Sequence, residues 1–287
     1  MLLASSLGVV GWIVTRPETM RQKPIAKAAP FVKPKEKWAA DHFYNFLKAL
    51  PADARLALKK SFEILPAQAD ERQLKGNDQD ARDIQKHALW LSSNILTYPF
   101  RDETQLNYHE LVTRVAGETG VTQSTVQKAP TFALERELHK LLFAKMWDEL
   151  NAKQRAELLA KVDPSGTIKD KAAIAALSGA GALAALSATV AFTGFAFYTT
   201  MSVTIATVAG AVGVTLPFAT YAGASTVVGV LSGPVGWAVM GVAALGGVAL
   251  AGRPNLQKTA ALIGQLHALK VEALIAAGVP EQDVFSA

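Results

Sequence analysis

The feature that most constrains this chain is a run of 81 consecutive residues, 172–252, without Asp, Glu, Lys, Arg, His, Asn or Gln. Ala contributes 22 of these residues and Gly contributes 13. A helix at the surface of a water-soluble protein carries a polar face, and this run offers none. In lipid, small residues let helices approach closely, and packing drives their association. The run therefore predicts an apolar, membrane-type helical region over 172–252.

Small residues and proline mark the expected helix contacts and turns inside this region. Pro234 cannot continue a helix comfortably, and glycines cluster on both sides of it. We expect close helix packing or a turn within the membrane at Gly179, Gly181, Gly229, Gly233, Pro234, Gly236 and Trp237.

Basic residues flank the apolar region on both sides and predict its topology. Lys169 and Lys171 precede it, and Arg253 follows it. Because cytoplasmic loops are enriched in Lys and Arg, both flanks should be cytoplasmic and the number of crossings should be even. At about 20 residues per crossing, the region accommodates roughly two to four spans.

The first 37 residues combine a short apolar segment, 1–15, with a basic linker, 16–37, of net charge +5. The segment is too short for a complete transmembrane helix, and a secretory signal would carry its charge before the apolar run. The remaining interpretations are an unstructured leader and a short anchor whose basic flank touches anionic lipid. The residues expected at lipid headgroups on all flanks are Arg16, Arg21, Lys23, Lys169, Lys171 and Arg253.

Residues 38–165 show helical periodicity and predict a soluble all-α domain. Helices are expected over about 38–50, 51–65 and 80–96. Thr131 is a candidate cap for a further helix, and Asn151 with Gln154 is a candidate capping box for the next one.

The last segment, 253–287, predicts an amphipathic C-terminal helix from about Leu256 to Ala277 followed by a tail. Two placements are open for this helix: against the soluble domain, or on the membrane surface.

Residues 110–126 have the spacing of a helix-turn-helix, with Ala116 in the first helix, Gly120 in the turn and Val126 in the second. Thr122 would cap the second helix. The pattern predicts two helices joined by a glycine turn. DNA binding through it is a weaker hypothesis, because Lys128 is almost the only side chain suited to phosphates.

The sequence shows no catalytic, cofactor or metal site, and we do not expect an enzyme. Cysteine is absent, and the five histidines lack metal-binding spacing. The segment Tyr108–Glu110 and the charged stretch Glu135–Glu149 are expected to be solvated helix surface.

The order of these features resembles the YaaW-like family of uncharacterised bacterial proteins. The resemblance covers about Leu106–Leu274 and is carried by the Tyr108–Val112 helix with its glycine turn, the helical pair Leu134–Val162 and the segment Ser232–Trp237. It implies bacterial origin and helical architecture, and it implies no activity.

Together these patterns predict an all-α protein with a soluble domain and a small-residue hairpin or bundle in the bacterial inner membrane, the domain being cytoplasmic. Its partners would be the lipid bilayer, a protein recruited by the domain and other copies of the chain. The expected function is interaction or membrane remodelling. A pore-forming or toxin-like protein that inserts an apolar hairpin is the alternative, and a DNA-binding regulator is the second.

Overall fold

The computed structural model describes residues 25–66, 68–93, 101–162, 168–193, 256–280 and 283–284. Within these ranges all regular structure is helical and no strand occurs, so the all-α prediction is confirmed. The helices, in chain order, are α1 (Ala40–Ala49), α2 (Ala52–Ser61), α3 (Asn77–Ser92), α4 (Tyr108–Thr119), α5 (Gln123–Lys128), α6 (Thr131–Glu149), α7 (Ala152–Val162), α8 (Lys171–Ala176), α9 (Gly179–Thr193) and α10 (Leu256–Ala276). Short 3₁₀ turns occur at Ala29–Phe31, Glu71–Gln73 and Glu103–Gln105.

The glycine turn predicted between α4 and α5 is confirmed. Gly120 adopts the left-handed conformation (φ 112°, ψ 18°), and its N–H donates to the Ala116 carbonyl at 3.2 Å. A residue without Cβ reaches this conformation at little cost, which explains why α4 ends here. Thr122 occupies the N-cap position of α5, but its hydroxyl pairs with the Thr125 hydroxyl at 2.9 Å rather than with a backbone N–H.

The two caps predicted for the following helices have different outcomes. The capping box at the start of α7 is confirmed: the Asn151 side chain accepts from the Gln154 N–H at 3.0 Å, and Gln154 Oε1 accepts from the Asn151 N–H at 2.9 Å. The Thr131 cap is wrong, because Pro130 holds the N-cap position of α6. The buried Thr131 hydroxyl instead accepts the Trp38 N–H at 2.7 Å, a tertiary contact that uses the oxygen a cap would need.

Helix α10 lies inside the core of the helical domain. It packs against α3, α4 and α6, and Leu262, Ile263, Leu266 and Leu269 are buried in one cluster with residues of α1, α2, α3, α4 and α6. Of the two placements open for this helix, the structure therefore shows the one against the domain.

Both helices that border residues 194–255 contact the same helix, α6. A Cβ built on Gly179, the first residue of α9, would lie 2.8 Å from the Cα of Ala144 on α6. One built on Gly264 of α10 would lie 3.7 Å from Nδ1 of His139, also on α6. Ala144 and His139 are five positions apart, or about 8 Å along the helix axis. The described helices on either side of residues 194–255 therefore pack on one supporting helix, α6.

Among the described helices, none combines the length and the apolar character needed to cross a membrane.

Candidate functional site at the interface of α6 and α10

Two of the glycines selected from the sequence lie in the described structure. Gly179 is buried where α9 meets the backbone of α6, and Asp148 Oδ1 accepts its N–H at 2.7 Å. Gly181 is half-buried, and a Cβ there would come no closer than 3.3 Å, to Leu177 Cβ. Close helix approach thus requires a glycine at Gly179 but not at Gly181.

The other selected residues divide into two sets. Lys169 is exposed just before α8, and Lys171 is the half-buried first residue of that helix. Outside the described residues lie the segment 1–15 and Arg16, Arg21, Lys23, Gly229, Gly233, Pro234, Gly236, Trp237 and Arg253.

The most unusual chemistry in the described structure is a buried ion pair between α6 and α10. Glu135 and Lys270 both have 0% exposure, and Nζ of Lys270 donates to Oε1 of Glu135. The same ammonium lies 3.5 Å from the ring centroid of Trp38 and 4.4 Å from that of Tyr108. The aromatic faces stabilise the cation where water cannot, so the lysine is solvated by one carboxylate and π-systems.

Two histidines extend this cluster along the interface. Nδ1 of His267 on α10 lies 3.3 Å from Oε2 of Glu135, so both carboxylate oxygens have a partner. The His267 ring packs against Phe132 at 4.7 Å and against His139 of α6 at 6.1 Å between centroids. We call Glu135, His139, His267 and Lys270 the α6–α10 polar cluster.

Burial and charge act in opposite directions on the pKa values of the ion pair. Burial alone would raise the pKa of Glu135, but Lys270 and His267 outweigh it, and the pKa is lowered from its ordinary value. Burial lowers the pKa of Lys270 to about 8, although Glu135 opposes this change. The pair is therefore ionised at neutral pH.

The neighbouring groups favour their neutral forms. Burial lowers the pKa of His267 against the opposing effect of Glu135, and burial together with His267 lowers that of His139 to about 3. Burial and the Glu135 charge raise the pKa of Tyr108 well above its ordinary value. At neutral pH the cluster thus holds one negative and one positive charge, with both imidazoles uncharged.

The structure corrects two surface assignments made from the sequence. Glu135 is fully buried because it lies between Leu134 and Leu138 on the side of α6 that faces the core. Tyr108 is also fully buried, stacked on Phe43 at 4.4 Å, and His109 is 9% exposed, with Nδ1 3.0 Å from the Thr131 hydroxyl. Only Glu110 of that segment is exposed, and the Glu137–Lys140 pair at 2.8 Å is the surface contact expected on α6.

Sequence reasoning missed this cluster, although a signal existed. Glu135 and Lys270 each occur among apolar residues at helical spacing: Glu135 is three residues before Leu138, and Lys270 is four residues after Leu266. A charged residue on the apolar stripe of a helix indicates either a solvated edge or a buried partner, and the sequence does not identify that partner.

A second buried ionic network joins α2 to α3. Nζ of Lys59 donates to Asp80 at 2.7 Å and to Asp83 at 2.9 Å, and Arg55 Nε lies 3.5 Å from Asp80. The Lys75 N–H also donates to Asp80 at 3.1 Å. These partners lie within two adjacent helices and the preceding loop, so the network is local, unlike the α6–α10 polar cluster.

The ion pair of the α6–α10 polar cluster lies out of contact with solvent. No substrate atom therefore reaches the carboxylate or the ammonium without separation of the helices. Within the described ranges, no three His, Asp or Glu side chains are grouped to hold a metal ion. The two imidazoles of the cluster are groups that can take up a proton.

Comparisons with known proteins returned no matching family model, no matching curated protein and no matching solved structure. The resemblance to the YaaW-like family therefore stays a prediction.

Proposed function

We propose that this chain is a membrane-associated protein in which a helical domain holds an uncharged segment in the bilayer. Its role would be interaction or membrane remodelling without turnover. The observation that supports this most directly is that α9 and α10, the helices on either side of residues 194–255, both pack on α6. A segment whose two bordering helices belong to one domain would begin and end on the same side of a membrane.

The length of the segment suits this arrangement. The first turns of α9 are committed to the domain, because Gly179, Ala182 and Leu186 are buried there. The uncharged residues beyond α9 are 194–252, and two crossings of about 20 residues each use most of them. An even number of crossings also agrees with the basic residues on both flanks, which would place the domain in the cytoplasm at the bacterial inner membrane.

The surface of the described domain supports assigning bilayer contact to that segment. Among the described residues, the large hydrophobic side chains with high exposure are Trp90 (48%) and Leu177 (38%). Two such residues are ordinary for a protein surface and form no extended apolar patch. The domain itself would then face water and recruit a protein partner, while contacts between copies of the chain would lie in the bilayer.

Alkaline carbonate extraction of membranes from expressing cells tests the proposal. The matched variant replaces 196–252 by a short Gly/Ser linker, which keeps α9 and α10 and therefore the contacts on α6. We expect the full chain to stay in the pellet and the linker variant to be extracted. Release of the full chain would contradict the proposal. Retention of both proteins in the pellet would show that another part of the chain binds the membrane and would contradict the role of residues 196–252.

A second candidate function, on-demand insertion as a pore-forming or toxin-like protein, is favoured by one observation. Helix α10, which follows the uncharged segment, carries one side of a buried ion pair to α6, and loss of one partner would destabilise the α6–α10 contact. Release of an encapsulated dye from anionic vesicles by soluble full-length protein would support this function. No observation in the described structure favours DNA binding, since α5 has six residues and ends at Lys128.

A further inference from the structure

The contact between α6 and α10 contains two imidazoles beside an ion pair that is already neutral overall. His139 and His267 face each other with 6.1 Å between ring centroids, and His267 is 3.3 Å from Glu135. The single carboxylate at this point is matched by Lys270. A further proton therefore has no counter-charge within the cluster.

The ionisable groups on the other elements packed against α10 do not change this balance. On α6, Arg136 acts electrostatically on His267, and its Nε lies 3.8 Å from the Glu137 carboxylate. On α4, Tyr108 faces the ion pair, and His109 bonds the Thr131 hydroxyl. On α3, the His87 ring lies beside Phe62 and Trp90, and the 3₁₀ turn Ala29–Phe31 has no ionisable side chain. Glu272, on α10 itself, is five residues from His267, which places it about 140° further around the helix.

We infer that this histidine pair makes the α6–α10 contact acid-sensitive, because protonation of either imidazole adds a positive charge beside the Glu135–Lys270 pair and loosens α10 from α6.

The direction of the pH effect follows from the two states of the chain. In the unfolded chain an imidazole takes up a proton near pH 6.5. In the folded domain burial lowers the pKa of both histidines, that of His139 to about 3. Below about pH 6.5 the unfolded chain therefore binds more protons, and the stability of the domain falls as the pH falls.

The consequence for function rests on the proposed role of the uncharged segment. Helix α10 begins at Leu256, three residues after the basic flank at Arg253, so it is the C-terminal attachment of that segment to the domain. Acidification would free this attachment while α9 stays on α6 through Gly179 and Asp148. The chain would then keep one attachment to its domain and lose the other.

Urea unfolding of the full chain in a mild non-ionic detergent tests the inference at pH 7.5 and 5.5. The variants are the double substitution His139→Gln/His267→Gln and the control His42→Gln on α1. We expect the unfolding midpoint of the wild type to fall by roughly 0.5 M urea or more on acidification. In the double variant this fall should be less than half as large, and the part that remains should come from His109. In His42→Gln the fall should be as large as in the wild type. An equal fall in the wild type and the double variant would overturn the inference.

A second measurement, on the wild type alone, tests the inference if the double variant does not fold. Amide hydrogen exchange of the wild type, corrected for the intrinsic pH dependence, compares α10 with α2 at the two pH values. Protection should decrease more in α10, and an equal change in both helices would overturn the inference. Neither experiment requires a bilayer. A failed carbonate extraction would therefore remove the proposed function and leave this result standing.

Discussion

Glu135 and Lys270 stand 135 positions apart in the chain and form a fully buried ion pair, with the ammonium 3.5 Å from the ring centroid of Trp38. The pair joins α6, the helix on which α9 also packs, to α10, which follows the uncharged region. For such a buried pair, removing one partner is costly, whereas replacing both by apolar residues is often close to neutral.

Breaking this pair on one side should be more costly than removing it entirely. Lys270→Met leaves the Glu135 carboxylate buried without its ammonium, and we expect about 3–5 kcal/mol of destabilisation. Glu135→Leu/Lys270→Met should recover a large part of that loss, because no uncompensated charge remains. Urea unfolding of both single variants and the double variant gives the coupling energy. Additive effects of the two substitutions would contradict a direct interaction.

The close approach of α9 to α6 should make Gly179 sensitive to a single methyl group. A Cβ there would lie 2.8 Å from Ala144 Cα, so Gly179→Ala must push two backbones apart, at a cost of about 1–3 kcal/mol. Gly181→Ala is the matched control in the same helix: its Cβ would lie 3.3 Å from the Leu177 side chain rather than against a backbone, so its effect should be much smaller than that of Gly179→Ala. Thermal unfolding compares the two variants. Equal effects would show that the α9–α6 contact is looser than the structure indicates.

The contribution of an ion pair between α3 and its neighbours to the free energy of unfolding should depend on the burial of the pair and not on its charges alone. Asp80→Asn removes the carboxylate that holds the buried Lys59 at 2.7 Å, and we expect a loss of about 3 kcal/mol or more. The control Asp78→Asn removes an exposed pair with Lys48 at 2.9 Å and should lower the free energy of unfolding far less. Chemical denaturation at pH 7 measures both. A large effect of Asp78→Asn would contradict this distinction.

The ionic network between α2 and α3 should make the domain lose stability at a lower pH than the histidine pair does. Burial would raise the pKa of Asp83, but hydrogen bonds from Lys59 and Gln79 leave it lowered from its ordinary value. Its contribution is therefore present above about pH 4 and is lost as the pH falls below that value. In Asp83→Asn the unfolding midpoint should fall less steeply below pH 4 than in the wild type, with the same slope between pH 7.5 and 5.5.

The proposed topology places both flanks of the uncharged region on one side of the membrane. Because the chain contains no cysteine, single-cysteine variants report accessibility without background. We expect Lys153→Cys, before the region, and Arg253→Cys, after it, to react with a membrane-impermeant maleimide in inverted inner-membrane vesicles. Both should be protected in intact spheroplasts. Labelling from opposite sides would require an odd number of crossings and would exclude the proposed arrangement.

Local signals in the sequence predicted several features because each one is decided within a few residues. Gly120 ends α4 since a left-handed residue favours glycine, and Asn151 with Gln154 builds its capping box within one turn. Pro51 precedes α2 as expected, although that helix ends at Ser61, before the predicted boundary at 65. Thr131 shows the limit of such signals, because a partner 93 positions away takes its hydroxyl.

By itself, the sequence determined the helical class, the turns between neighbouring helices and the position of a long uncharged region, since periodicity, caps and composition act over short distances. Only the tertiary structure decided that α10 returns to the core, that Gly179 meets Ala144 and that Glu135 pairs with Lys270 beside two histidines. These contacts join residues that no local pattern relates. The charge of a lone glutamate on an apolar stripe is tolerated only when folding brings a distant cation to it, and the sequence does not identify that cation.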